Sequence, residues 1–463
     1  VLFRSRILVI SLLEKIYLIK EVFCMKIMVD VLKKYIALAL VSVLGLITII
    51  YFNSIVMHML AIWLVVFVAI AIVSFNFTHP YFWFSLSYAI YGTAYPLLLI
   101  LGHTSVTGYT KENSILVIVG LSITLLIIGP NEINLHINNK DYKNYLLSNF
   151  YIHNKLLKFI LRIGNILLLI MIVLLMEEGI QHKAYYWTNT SVLFTLSYYL
   201  TRYLSLFLIM YIIISCKHIK KAIPLISLTI ISVFIFSMFT GERDAIFRIT
   251  LVFIVSMYFV GILERKHLPL LMFLGVLFLI TVTNYKYYFM YGVVNRSFEG
   301  RGILYNFLMS DFSAAGENLQ VLINNEWTKG SQSILLLIDE FISAIFIGYE
   351  HYDIATNFNE LFYKGSYSRA FTILGEGYII GGLFGIIVVS IYIAFIIRFI
   401  YRRSCNNIYW STAYIYLIPT VITTFRSTTN VLIVALFRII TIGLLIYIIG
   451  SQMFVKKSEY ISM

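Results

Sequence analysis

SYSRAFTILGEGYIIGGLFGIIV, residues 366 to 388, decides how this chain is read. A polar, aromatic approach containing Arg369 gives way to an apolar run that opens on Gly375, Gly377, Gly381, Gly382 and Gly385, with Glu376 set among them. Glycines at such spacing let backbones approach closely, which in membranes means helix packing. Upstream, a polar, aromatic segment runs from about Tyr285 to Thr372 between two long apolar runs, so the stretch reads as the exit of a large loop into a membrane helix.

Composition fixes the class around it. Of 463 residues, 60% are apolar and 12% charged, and the mean hydropathy is +0.89, far from the averages of soluble domains. The hydrocarbon is roughly 30 Å thick and a helix rises about 1.5 Å per residue, so each span needs about 20 mostly apolar residues. Long Ile/Leu/Phe/Val runs favour helices over the short alternating strands of a barrel. The sequence thus predicts an all-α polytopic membrane protein with about twelve transmembrane helices and one large extracytoplasmic loop. The spans fall near 35–51, 55–75, 81–101, 113–129, 158–176, 197–215, 223–240, 245–261, 268–285, 372–397, 408–425 and 430–450.

Orientation follows from the cations. With the amino terminus inside, the inner loops collect Lys33, Lys34, Lys140, Lys143, Lys155, Lys158, Lys217, Lys220, Lys221, Arg265, Lys266, Arg398, Arg402, Arg403, Lys456 and Lys457. That distribution obeys the positive-inside rule, placing both termini in the cytoplasm and residues 286–371 outside. It also accounts for the formal charge of +13 without nucleic acid as a partner. The expected organisation is a cytoplasmic segment 1–34, helices one to nine over 35–285, the loop 286–371, helices ten to twelve over 372–450, and a cytoplasmic tail 451–463. Residues 1–24 precede Met25 and read as an upstream extension or a short interfacial helix. ILLLIDEFISAIFIGY, 334–349, carries Asp339 and Glu340 at its centre and reads as an interfacial or re-entrant helix within the loop. Cys24, Cys216 and Cys405 form no disulfide framework or metal spacing, and no metal or cofactor motif is visible.

Several residues suggest chemistry. Arg202, Arg248 and Arg438 fall in the outer half of spans with no acid expected deep in any span to pair with them, so an anionic ligand is one partner that fits. Arginine binds phosphate through a planar fork of donors, although each side chain would also serve to reach lipid headgroups. In FTGERDAIFR, 239–248, Gly241 suits a helix end and Glu242 and Asp244 suit a helix start, which leaves Arg243 unexplained by capping. It reads either as an interfacial anchor or as a phosphate contact. Glu376, expected at the mouth of its span, is a candidate general base on a sugar hydroxyl or a solvated interfacial acid. Weaker candidates in the loop are His351 and Arg301, then Arg296, Asp311, Glu317 and Asp353.

About twelve helices, one large outer loop, the outer-turn Gly241-Glu242-Arg243 and the following GEGYIIGGLFG resemble the bacterial O-antigen and capsular polysaccharide repeat-unit polymerases, the Wzy-type family. The resemblance implies a metal-independent glycosyltransferase of the cytoplasmic membrane, without cofactor. Such an enzyme moves a growing glycan from undecaprenyl diphosphate onto an incoming lipid-linked oligosaccharide repeat unit. It also implies a chain-length regulator and a flippase as accompanying proteins. Family arginines map onto Arg243 and Arg369, and the longer arginine-to-glycine spacing of some members is not evident after Arg369. With Glu376 these form the expected catalytic set, and Arg202, Arg248 and Arg438 the expected diphosphate-binding set. An O-antigen ligase, a lipid-linked oligosaccharide flippase or transporter, and a membrane sensor or scaffold remain as alternatives.

Overall fold

The computed structural model describes residues 29–102, 108–131, 153–177, 191–267, 270, 271, 275, 311–327, 333–346, 353–364, 371–404 and 407–461. Among these the fold is wholly helical. In chain order the main elements are α1 (Val29–Tyr51), α2 (Ile55–Ile72), α3 (Pro80–Ile100), α4 (Lys111–Ile128), α5 (His153–Glu177), α6 (Val192–Ile214), α7 (Ile219–Thr240), α8 (Arg243–Phe259), α9 (Asp311–Asn324), α10 (Ser333–Ile345), α11 (Ile354–Tyr363), α12 (Ile373–Arg403) and α13 (Ile408–Thr424). The last is α14 (Asn430–Gln452), which winds as a π-helix over Ala435–Thr441.

Among the described residues eight helices, α1, α2, α4, α5, α6, α7, α12 and α14, are long and apolar enough to cross a membrane. Their exposed faces show why. Leu32, Ile36, Leu40, Val43, Leu44 and Ile47 line one side of α1, and Phe159, Ile163, Ile166, Ile170 and Val173 one side of α5. Stripes of large apolar residues on the outside of a folded chain suit hydrocarbon rather than water. Three more helices sit at the positions expected for spans. α3 and α13 are buried along most of their length and rich in Tyr, Ser and Thr, a composition that a helix surrounded by other helices tolerates because it meets little lipid. α8 lies against α6, α7 and α13. Of the ninth expected span, 268–285, only residues 270, 271 and 275 are described.

Described parts of the segment between the apolar runs pack into the bundle. α9 packs on α3, where a Cβ at Gly316 would lie 2.9 Å from Tyr95 Cβ. Asn113 Nδ2 donates to the Gly316 carbonyl (3.2 Å), and the Thr110 N–H donates to Gln320 Oε1 (3.0 Å). α10 has 13 residues, about 20 Å of helix and short of the roughly 30 Å hydrocarbon. It turns Leu335, Ile338 and Phe341 outward while Glu340 and Ser343 are buried. The cost of Glu340 in hydrocarbon is thereby avoided, because the acid faces α12 and α14 instead.

α12 departs from the single span expected at 372–397. Gly381 (φ 173°, ψ 37°) and Gly382 (φ 60°, ψ −132°) leave helical geometry and divide it. Residues 373–380 form a short, fully buried half-helix, and residues 383–403 a long one. The two halves touch: a Cβ on Gly377 would lie 2.7 Å from Ile386 Cα, and one on Gly385 would run into the Gly377 carbonyl. The positive φ of Gly382 is a conformation that other residues adopt only at a cost.

Candidate functional site: arginines around a buried carboxylate

The site grows from a two-residue turn. α7 ends on Gly241, left-handed at φ 69°, whose N–H donates to the Ser237 carbonyl (2.9 Å). Glu242 then caps α8, its carboxylate accepting the Asp244 N–H (3.1 Å), and Ser237 Oγ donates to the Glu242 carbonyl (2.6 Å). The capping expected for Gly241 and Glu242 is what is seen. Asp244, read from sequence as a helix-start acid, has a larger part.

Asp244 and Arg248 are one turn apart on α8, and Arg248 Nη2 lies 3.1 Å from Asp244 Oδ2. Arg202 Nη2 of α6 approaches the same oxygen at 3.5 Å. Arg248 Nη1 donates to Thr420 Oγ1 of α13 (2.6 Å), and its guanidinium stands 5.4 Å from the Tyr416 ring centre. Arg202 lies 4.4 Å over the Tyr198 ring and also donates to that hydroxyl. Relative exposures are 9% for Arg202, 8% for Asp244 and 1% for Arg248. The expectation that these arginines lack a protein anion is therefore corrected: Asp244 serves both.

Glu242, also buried, is close enough for its charge to act on Tyr198, so among the described residues two carboxylates stand near the two guanidinium groups. Nε of Arg202 and Nε of Arg248 are buried without a hydrogen-bond partner. Arg426, in the turn after α13, is close enough for its charge to act on Asp244. Arg243, half-buried, begins α8 next to this group. Aromatic faces and a shared carboxylate hold cations where water is scarce, and a fixed cluster of guanidinium donors suits an oxyanion such as a phosphate.

The other expected residues are distributed differently. Arg438, in the π-helical part of α14, donates from Nη2 to the carbonyls of Ser343 (2.7 Å) and Phe346 (3.4 Å), so its described contacts close the carboxyl end of α10. Helix ends leave carbonyls unsatisfied, and a cation there answers both the hydrogen bonds and the dipole. Tyr203 of α6 donates to the Arg438 carbonyl (2.7 Å), linking this region to the helix that carries Arg202. Glu376, expected at the mouth of a span, is fully buried on the half-helix. Its Oε2 accepts the Thr429 N–H (2.7 Å) and its Oε1 the Thr429 hydroxyl (2.6 Å). Asp353 caps α11 by accepting the N–H groups of Ala355 and Thr356. Arg369, His351, Arg301 and Arg296 lie outside the described residues.

Sequence reading missed Asp244 as a shared counter-ion and Arg426 as a neighbour. The four-residue interval from Asp244 to Arg248 was a usable signal, since such residues share a helix face. The matching interval from Tyr416 to Thr420 was another. Among the described residues no group of three or more His, Cys, Asp or Glu side chains is arranged to hold a metal.

Fold and site together define a polytopic α-helical membrane protein with a basic cluster buried among the ends of its interior helices. No family model, curated protein or solved structure matches the chain.

Proposed function

We propose that the chain is an oligosaccharide repeat-unit polymerase of the bacterial cytoplasmic membrane, of the Wzy type. In this reading about twelve helices cross the bilayer, both termini are cytoplasmic, and residues 286–371 form the extracytoplasmic loop. The enzyme transfers a growing glycan from undecaprenyl diphosphate to a lipid-linked repeat unit at the outer face, in O-antigen or capsule synthesis, with a chain-length regulator and a flippase alongside. The observation that carries the reading is the pair Arg202 and Arg248 sharing Asp244, with Arg426 close to the same carboxylate and Arg243 next to it in the chain. By the positive-inside reading, this pair lies toward the exterior.

Cleaving an anomeric bond to diphosphate releases negative charge on the leaving group. Preorganised guanidinium donors in a water-poor site stabilise that charge, and loss of one such donor typically costs about a hundredfold or more in rate. In this scheme Arg202 and Arg248 set the local potential, and Arg243, with Arg369 from the loop, contacts the departing diphosphate. Glu376 has both carboxylate oxygens engaged by Thr429, which favours another group for deprotonating the acceptor hydroxyl. The test is a strain lacking this chain: single lipid-linked repeat units should accumulate on the outer side of the membrane. Arg243→Ala should reproduce that accumulation with normal amounts of membrane-inserted protein, and wild-type chain lengths would remove Arg243 from the site.

One observation favours a second reading, a lipid-linked oligosaccharide transporter. Transporters commonly place substrate at discontinuous helices, and α12 is broken at Gly381 and Gly382. Retention of lipid-linked units on the inner side in the same strain would select this reading over the polymerase.

A further inference from the structure

The residue that asks for explanation is Glu376: a carboxylate with no solvent exposure, held on the half-helix that opens the broken α12. Its two oxygens are taken by the backbone and side chain of one residue, Thr429. Both hydrogen bonds are short, and both converge on the connection between α13 and α14.

That connection runs from the arginine cluster to Glu376. At its start, Thr420 accepts from Arg248, while Thr423 and Thr424 donate their hydroxyls to the Thr420 carbonyl at 2.9 and 2.8 Å. The chain then turns, with the Arg426 N–H on the Thr423 carbonyl (3.2 Å) and the Ser427 N–H on that of Thr424 (3.0 Å). At its far end the Thr429 carbonyl accepts the Leu432 N–H (3.0 Å), beginning α14. The turn carrying Arg426 is thus pinned on one side by the cluster and on the other by Glu376. Glu376 is in turn seated by the half-helix 373–380, which Gly377 and Gly385 press against the rest of α12.

We infer that Glu376 is a positioning residue: through Thr429 it fixes the 425–429 turn, and so sets Arg426 as a further diphosphate-binding group beside Arg202 and Arg248. The inference rests on the reading of the cluster as a diphosphate site. It gives Glu376 a role distinct from proton transfer, and it adds to the site a guanidinium supplied by the α13–α14 turn.

The experiment uses the full chain in detergent with inorganic pyrophosphate as the probe, and compares wild type with Glu376→Gln, Thr429→Val, Glu376→Gln/Thr429→Val and Arg426→Gln. Thr429→Val keeps the N–H and the side-chain shape and loses one hydrogen bond, so it reports even if the glutamine variant folds poorly. Each single variant should weaken pyrophosphate binding about tenfold or more, as small misplacements of a binding group do. The double variant should be no worse than Glu376→Gln alone, since both changes break one link. As a readout independent of binding, Ser427→Cys in a cysteine-free background should react faster with a maleimide once Glu376 or Thr429 is changed. If wild type does not bind pyrophosphate, the diphosphate reading fails and this inference with it. If wild type binds and both single variants bind equally well, the positioning role alone is overturned. Weakened binding in Glu376→Gln with a wild-type Thr429→Val would show that Glu376 contacts the ligand directly, and would also overturn it.

Discussion

Replacing Asp244 by Asn removes the charge that Arg202 and Arg248 share while leaving the shape of the site almost unchanged. The two contacts are 3.5 and 3.1 Å long. At an effective dielectric of about 20 each attraction is on the order of 5 kcal/mol. Much of that is offset by the desolvation already spent in burying the ions, so the measurable loss is that of breaking a buried pair, about 3–5 kcal/mol. Asparagine can still accept one hydrogen bond from Arg248, which places the expected loss near the lower end. At roughly 2 °C per kcal/mol for a large domain, the thermal midpoint of the purified protein should fall by about 6 °C. Fluorescence-detected size exclusion after heating measures it. The decisive comparison is Asp244→Asn combined with Arg202→Met: the second change removes a stranded cation, so the double variant should melt above the single one. Asp244→Asn melting within about 2 °C of wild type, or Arg202→Met adding further destabilisation to it, would refute the shared-carboxylate account.

Other outcomes are expected elsewhere. Gly385→Ala drives a Cβ into the Gly377 carbonyl and should cost on the order of 3 kcal/mol or more, seen as lost monodisperse protein. Gly382→Ala meets nothing within 4 Å and pays only for its backbone angles, about 1–3 kcal/mol, so it should be the milder of the two; the reverse ranking would contradict the fold of α12. His79, in the turn ahead of α3, is held by burial at a pKa of about 3 against an ordinary 6.5, with its ring accepting the Tyr81 N–H and paired to the Asn131 carbonyl. The unfolded chain therefore takes up this proton first, and stability should fall as the pH drops below about 6.5, by about 2 kcal/mol between pH 7 and 5. His79→Asn should flatten that part of the melting profile, and an unchanged slope would exonerate His79. Alkaline phosphatase fused after Lys329 should be exported and active, and an inactive fusion would overturn the proposed orientation.

Hydrophobic runs made the helices legible, because a segment that faces lipid must be apolar along its length whatever its neighbours are. Where the expected stretches fall on described residues they are helical, with ends displaced by a few residues. What could not be read was the interior. Asp244 looked like a helix-start acid and no more, because its position there says nothing about α6 and α13 closing over it. Glu376 looked like a mouth residue because GEGYIIGGLFG reads as one continuous run. Only the angles at Gly381 and Gly382 reveal that the run is two helices. Arg202 and Arg248 could be picked out because a cation within an apolar run is conspicuous. Arg426, at the edge of one, was not.

The π-helical winding of α14 separates two tasks along one helix. An extra residue absorbed in such a ring leaves the helix beyond it in its usual phase, so Gly443 can keep its close fit against Leu206 and Tyr203 while Arg438, inside the ring, extends to the end of α10. Shortening the 435–441 stretch by one residue is thus a way to withdraw that arginine: Gly443 would keep its seam with α6, Tyr203 would lose the Arg438 carbonyl, and α10 would keep its tie to Asn430.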